Sequence, residues 1–433
     1  MDFRRCLVGD VIIHYFWRYI SYDMTGFVPE FDSEYIIDGT KMDMTPGQIL
    51  REATGRGDCL KDNAEPAGEP FIDESVDPAP DDTAFDASGI YGYLDLTSGE
   101  SGKPRNIPAF CSDEVTRTEI VRALTEAIWK TGHFRIDDLV LELTWEWDMK
   151  PVGNIAAFYK SVSAACDCLD QLGIRLGGYN FRKSKKECHI KVNVSAECLH
   201  TQMEDDEPLD IAETIDREIM NTPDMNPAMP GYDFPFRTEN PVIGRRRKCP
   251  EHISGDKSDW LIYMPFDTCK FRLGGSLLAE RTGRSGGKSV EMEDTDYFMD
   301  CFEVVREFVE DGIIVSGTSV GPGGIACAMG RMAGKTAEEC PGIDADISGI
   351  CRSYSEKDVV RILFGEVPGV LIEVRDSDFD YIDAELLLQD VAYYPIGHPG
   401  EHGLRIASGG QDGVAGILQA LMGQEDIVPE GED

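Results

Sequence analysis

The stretch from Ile313 to Lys335, IIVSGTSVGPGGIACAMGRMAGK, joins a β-branched run, a glycine-rich break and a small-residue helical pattern with no spacer. A strand that feeds straight into a helix demands a layered arrangement of sheet and helix around it, so this stretch narrows the fold more than any other. Ile313 to Val315 predicts the strand, and Ile325 to Ala333 the helix. Gly321, Gly323 and Gly324 open the backbone to close approach, and free N–H groups at the helix start can receive an anion. A purely structural strand-to-helix corner has the same pattern.

The alternation continues on both sides. Ser112 precedes acidic first-turn residues, and Val121, Leu124 and Ile128 follow at helical spacing, which predicts a helix with Ser112 as its N-cap. Leu139, Leu141, Leu143 and Trp145 alternate with the period of a half-buried strand. Ile155, Phe158, Val162, Ala165, Leu169 and Leu172 mark a long amphipathic helix that Gly173 can end in the left-handed conformation. IRLGG and HIKVNV read as strands around a glycine corner at Gly177 and Gly178. Beyond a polar, proline-rich stretch at 204–232 come the strand DWLIYMPF, the segment RLGGSLLAERTG and a helix carrying Phe298, Phe302, Val305 and Val309. The Ile313 stretch is followed by a helix over 359–364, the strand GVLIEV, the helix YIDAELLLQD and the strands VAYYPIG and GLRIA. This order predicts an α+β chain with helices against a mixed sheet. Residues 1–54 form an N-terminal segment of unassigned fold, 55–88 an acidic linker or surface excursion without apolar period, and 411–433 a C-terminal helix and acidic tail.

With 80 Asp and Glu against 41 Lys and Arg, the formal charge is −39, which excludes a surface that binds nucleic acid or anionic membrane by neutralising phosphates. An anionic ligand must be held locally, by helix-start amides or by a small basic cluster such as Arg245, Arg246, Arg247 and Lys248, which otherwise reads as a solvated turn. Thirteen cysteines fit reduced thiols and a cytoplasmic setting better than a disulfide framework. The N-terminal run CLVGDVIIHYFWRYI carries Asp10, His14 and Arg18 and reads as neither a signal peptide nor a membrane span.

Weaker motifs resolve toward bland readings. TGRSGGKS, residues 282–289, ends like a P-loop, but Thr282 stands where the first glycine belongs, so a mobile glycine-rich loop is expected. His189, His252, His398 and His402 are scattered. Asp344 and Asp346 could share a face toward Mg²⁺ if extended, but read first as a solvated turn, and no metal ligand set is assigned.

Several segments, in order, resemble the phosphoribosylformylglycinamidine synthase family: AIWKTGHFRIDDLVLELTWEWDMKPVGNIAAFYKSVSAACDCLDQLGIRLGGYN, FRLGGSLLAE, the Ile313 stretch, and DVVRILFGEVPGVLIEV, where Phe364, Glu366, Gly369 and Val370 fit the family pattern. The likeness runs from about Ser112 to Ile406. It implies an aminoimidazole-ribonucleotide-synthase-like α+β fold: an N-terminal α/β domain over 89–240 that contributes to a dimeric barrel, and a C-terminal mixed-sheet α+β domain over 241–410.

The family's reaction uses ATP and Mg²⁺ to activate the amide oxygen of a formylglycinamide ribonucleotide, after which ammonia displaces phosphate. The resemblance therefore implies a phosphorylated small-molecule ligand, ATP and Mg²⁺ as cofactors, and a homodimer or a synthase or glutaminase partner. It implies a phosphate or nucleotide site built from Gly321, Gly323 and Gly324, the hydroxyls of Thr318 and Ser319, a facing loop of Gly274, Gly275 and Ser276, and Asn180 at the other glycine corner. Thr318, Ser319 and Gly321 stand where the family has His, Asp and Ser, and no counterpart of its Ser-Glu-His-Cys segment is found. Two expectations follow: a synthase-like protein of purine nucleotide biosynthesis, an ATP-dependent ligase or a diverged form that keeps nucleotide binding; and, in the alternative, an inactive scaffold or regulatory subunit of the same fold.

Overall fold

The computed structural model describes residues 28–54, 68–77, 85–99, 105–196, 243–244, 246–333, 342–401 and 403–408. The expected C-terminal helix and tail, most of the acidic linker and the basic residue Arg245 lie outside them.

A small sheet opens the described chain. Pro29–Asp32 (α1) leads into Tyr35–Ile37 (β1) and Thr40–Lys41 (β2), an antiparallel pair. Pro46–Ala53 (α2) starts in a capping box between Thr45 and Gln48, and Phe71–Asp73 (β3) pairs with β1 in parallel. β3 falls within residues 55–88, so part of the expected excursion is a strand: Phe71 packs its ring on Tyr35, 5.2 Å between centroids. Ile90–Ser98 (α3) follows.

The next unit is a three-stranded sheet with helices on one face. Ser112–Ala127 (α4) starts from Cys111 as N-cap, one residue earlier than expected, because a 3₁₀ turn over Ala109–Cys111 leads into it and carries Ser112 into the first turn. Leu139–Trp147 (β4) buries Leu139, Leu141, Leu143, Trp145 and Trp147, the alternation expected of a half-buried strand. Asn154–Gln171 (α5) ends before Gly173 at φ +64°. Arg175–Lys183 (β5) and His189–Ala196 (β6) flank β4, parallel and antiparallel. The expected corner at Gly177 and Gly178 is instead strand interior. A register shift opposite Leu141 and Glu142 absorbs the extra residue, and a Cβ at Gly177 would lie 2.6 Å from Val140 Cγ1, so glycine here serves close strand approach.

The C-terminal unit is built on a six-stranded mixed sheet, ordered β12-β9-β11-β7-β10-β8. Its elements in chain order are Trp260–Pro265 (β7), Leu277–Thr282 (α6), Thr295–Glu310 (α7), Ile314–Val320 (β8), Gly324–Ala333 (α8), Gly342–Asp346 (β9), Ser348–Ser353 (α9), Val359–Phe364 (α10), Gly369–Val374 (β10), Asp376–Leu388 (α11), Tyr394–Gly400 (β11) and Leu404–Ala407 (β12). β8 runs five residues past the expected Val315, because Ser316 to Val320 continue the antiparallel ladder with β10, and Thr318 and Ser319 are therefore strand residues. Asp344 and Asp346 are likewise on a strand, both exposed, and not in a turn. The 282–289 loop is packed: a Cβ at Gly274 would sit 2.2 Å from the Gly287 carbonyl oxygen.

Two apolar cores sandwich the sheet. Ile262, Met264, Val370, Ile372 and Val374 face a core shared with α7, α11 and the buried faces of α4, β4 and α5. Leu261, Tyr263, Val320 and Leu371 face a second core with α8, α9 and α10. Ile90, Tyr93 and Leu94 of α3 pack in that second core although they precede the three-stranded unit in sequence. Each fully buried Leu, Ile or Phe stabilises such a core by about 1.5–3 kcal/mol.

Candidate functional site

β8 hands over to α8 through Gly321, Pro322 and Gly323. Gly323 and Gly324 have φ of +84° and +67°, a region that favours glycine, and the Gly324 N–H donates to the Gly321 carbonyl at 2.8 Å. A Cβ at Gly324 would lie 2.5 Å from the Leu363 carbonyl oxygen, so α8 can meet the end of α10 this closely only because glycine stands there.

The amide expected to face an anion does face one, and it belongs to the protein. Glu366, 4% exposed, lies between α10 and β10, and its Oε1 accepts from the N–H of Gly323 at 2.9 Å and from that of Leu277 at 2.7 Å. Its other oxygen is paired with the guanidinium of Arg105, 6% exposed. Arg105 also donates to the Gly275 carbonyl at 3.0 Å and pairs through Nε with Glu119 of α4 at 2.8 Å. Glu119 pairs in turn with Arg122. Two carboxylates and two guanidinium groups thus alternate and neutralise one another. Burial would raise the Glu119 carboxyl, but Arg122 and Arg105 beside it hold it below the usual carboxylate range. A Cβ at Gly321 would come within 2.8 Å of the Arg122 side chain, which lies against the corner, and Thr97 of α3 reaches the Sγ of Cys327 at 3.0 Å.

The network gathers Gly275, Leu277 and Gly323 around Glu366. The remaining expected residues serve internal bonds. Ser276 caps α6 by accepting from the Ala279 N–H, and the Gly274 N–H donates to the Lys288 carbonyl at 2.8 Å. Ser319 accepts from the Trp129 indole at 2.8 Å, and Thr318 donates to Glu251 at 2.9 Å, both within buried β8. Asn180 stands on β5 in the other sheet, exposed, where its Oδ1 accepts from the Phe181 N–H. Of the basic cluster, Arg247 stacks over Trp129 at 5.3 Å and donates to the Gly317 carbonyl of β8, while Lys248 donates to the Glu310 carbonyl at the end of α7, so both cations serve internal bonds.

Sequence reading missed Glu366 and Arg105 as site residues. Glu366 had a signal, a lone acid in the apolar run LFGEVPGV that must find a partner when buried. Arg105, in KPRNIP, had none.

Mg²⁺ does not fit here. The one carboxylate at the corner is already ion-paired, and among the described residues no group of three or more His, Cys, Asp and Glu is placed to hold a metal. Among the described residues no helix is long and apolar enough to cross a membrane.

The architecture is thus α+β, with a glycine corner closed by a buried carboxylate. The chain is similar to phosphoribosylformylglycinamidine synthases at low identity over part of its length: to a probable chloroplastic or mitochondrial one from Arabidopsis thaliana, 22% identical over 293 residues, and to that of Homo sapiens, 26% identical over 143. These alignments take in 66% and 33% of this chain but only 17% and 10% of those proteins, so the chain spans less than a fifth of the length of the curated relatives it matches. No protein-family model matches it. Among solved structures, T. maritima PurL complexed with FGAR aligns over 72% of this chain and 42% of its own, with TM-score 0.43 and 10% identity. E. coli HypE, a hydrogenase maturation protein, aligns over 83% and 92%, with TM-score 0.40 and 10% identity.

Proposed function

We propose that this chain is a phosphoribosylformylglycinamidine synthase-like protein of purine nucleotide biosynthesis that keeps the fold but not the turnover, and acts as a scaffold or regulatory partner of a synthase or glutaminase. One observation carries the reading: Thr318 and Ser319 stand where the family has His and Asp, while Glu366, which fits the family pattern, holds the amides of Gly323 and Leu277. A phosphate entering there must expel a carboxylate already paired with buried Arg105. The hydroxyls of Thr318 and Ser319, at the positions of the family's ionisable pair, are committed to Glu251 and Trp129 and offer no proton carrier. A reduced compartment such as the cytoplasm suits the chain, whose described cysteines are free.

The rival reading, an ATP-dependent amidation, draws support from Arg105, a buried cation already in place for a phosphate oxygen once Glu366 withdraws. Isothermal titration with ATP and Mg²⁺, and separately with formylglycinamide ribonucleotide, decides between them. The scaffold reading expects no saturable heat with either at millimolar ligand and no ADP release when ammonia is added. Saturable binding of the ribonucleotide with ammonia-dependent ADP release establishes the ligase instead.

A further inference from the structure

α3 lies along α8 and over the glycine corner. Thr97 Oγ1 is 3.0 Å from the Sγ of Cys327, and Thr97 Cβ is 3.5 Å from where a Cβ on Gly323 would stand. Leu94 Cδ1 lies 3.6 Å from the corresponding point on Gly330. Gly323, Cys327 and Gly330 fall at i, i+4 and i+7, so the small residues of the corner and of α8 share one face, and α3 rests on it. Nearer its start, Tyr93 meets the ring of Phe364 edge-on with centroids 6.0 Å apart, two residues before Glu366. Tyr91 accepts from the Ile406 N–H at 3.3 Å.

This cover is lightly held. Of the nine residues of α3 only Thr97 is buried, while Tyr91 and Leu96 are 50% and 42% exposed. α8 beneath it has its own anchorage, because Ile325, Ala326, Ala328, Met329 and Met332 are fully buried in the second core. An element with few buried contacts opens at a lower free energy than the core it lies on.

We propose that α3 is a lid that lifts from α8 as a unit while both cores stay folded, so that entry to the glycine corner is gated by this motion. The inference rests on the corner as the place where any ligand of this chain would bind. Lifting withdraws Thr97 from Gly323 and Cys327 but leaves Glu366 on its amides, since Arg105 is anchored independently by Glu119 of α4. Access and occupancy are therefore two separate barriers at one corner.

Cys327 reports the lid, and Cys301 in the first core reports the body. Both are buried, and burial pushes the Cys327 thiol up and the Cys301 thiol up to about 12, so each reacts only when its surroundings open. A pulse of N-ethylmaleimide on the full native chain, followed by peptide mass mapping, gives the rate at each thiol. With α3 opening alone, Cys327 reacts at least about 10-fold faster than Cys301. Tyr93→Ala, which removes the half-buried ring from Phe364, raises the Cys327 rate about 10-fold further and leaves Cys301 unmoved. Hydrogen exchange shows amides of residues 91–98 exchanging ahead of those of residues 325–333. Equal rates at the two thiols overturn the proposal, as does a Tyr93→Ala variant in which both rise together, because α3 then opens only with the whole chain. No nucleotide enters these measurements, so a failed lid appears in the thiol rates and a failed scaffold reading in the titrations with ATP and the ribonucleotide.

Discussion

Replacing Glu366 by alanine removes the acceptor of two buried amides and the partner of a buried guanidinium at one stroke. Each unpartnered amide costs about 1–3 kcal/mol, and stripping one member from a buried ion pair costs about 3–5 kcal/mol. These contributions share one side chain and do not add in full, so a loss of about 4–6 kcal/mol is expected, much of the stability of an ordinary domain. Glu366→Gln keeps an oxygen for the Gly323 and Leu277 N–H groups but turns its second acceptor into a donor facing Arg105, for an expected loss of about 2–3 kcal/mol. Urea unfolding followed by intrinsic fluorescence reads both values. The alanine variant leaves a space lined by two amides and a cation, so acetate or inorganic phosphate should restore part of the loss. At a concentration 100 times the dissociation constant the recovery is about 2.7 kcal/mol. The parent, whose site is filled, should gain nothing beyond the general salt effect. An alanine variant within 1 kcal/mol of the parent, or one indifferent to both anions at matched ionic strength, would refute the claim that Glu366 substitutes for a bound anion.

Three further outcomes follow from the same structure. Asp73 accepts from the N–H groups of Gly153, Ile155 and Ala156 at 2.9–3.1 Å and so caps α5 from β3; Asp73→Ala should cost about 1–2 kcal/mol in urea unfolding. Gly324→Ala places a methyl 2.5 Å from the Leu363 carbonyl oxygen at a φ of +67°, and should lose at least about 1–3 kcal/mol and lower Tm by several degrees. Burial, then Asp113 beside it, pushes the Glu114 carboxyl up to about 8. The folded chain keeps this proton where the unfolded one releases it, so the stabilisation is present below about pH 4.3, declines as pH rises and is gone above about 8. Glu114→Gln, which cannot ionise, should flatten that limb of the stability profile between pH 5 and 8 by about 1 kcal/mol, the part left after solvent screening.

Periodic elements were legible from the chain because their signal is local. Leu139 to Trp147 alternates, Phe298 to Val309 repeats at helical spacing, and each forms the element its period requires. Elements that depend on a distant partner were not. Phe71–Asp73 has no period and becomes a strand only because β1 lies alongside, and Ser316 to Val320 extend β8 because β10 supplies the ladder. The glycines at 177 and 178 show the same limit. A missing Cβ can mean a turn or a close neighbour, and Val140, the neighbour that decides, is 37 residues away from Gly177 in sequence. At the site, the corner itself was readable, but the group that fills it was not, since Arg105 and Glu366 are separated by 261 residues.

The acid surplus and the closed corner have a common physical consequence. A chain with formal charge −39 exerts a net repulsion on a free phosphate, whereas a carboxylate of its own is carried into place by folding. An intramolecular anion competes at an effective concentration set by its tether, millimolar or more, and faces no association cost. Helix-start amides in such a chain are therefore better served by its own Asp and Glu than by a dilute ligand, and the two sites agree: Asp73 takes the start of α5, and Glu366 takes Leu277 at the start of α6 together with Gly323 before α8. Cations reach Glu366 no more easily, because Arg105 already neutralises it and Glu119 balances Arg105 on its other side. On this reasoning salt acts mainly on the surface repulsion and hardly on the buried ion-paired chain. Raising KCl from 0.1 to 1 M should stabilise the parent while leaving the cost of Glu366→Ala unchanged to within about 1 kcal/mol. A cost that collapses at high salt would place the Glu366–Arg105 pair in contact with solvent and reopen the corner to ligands.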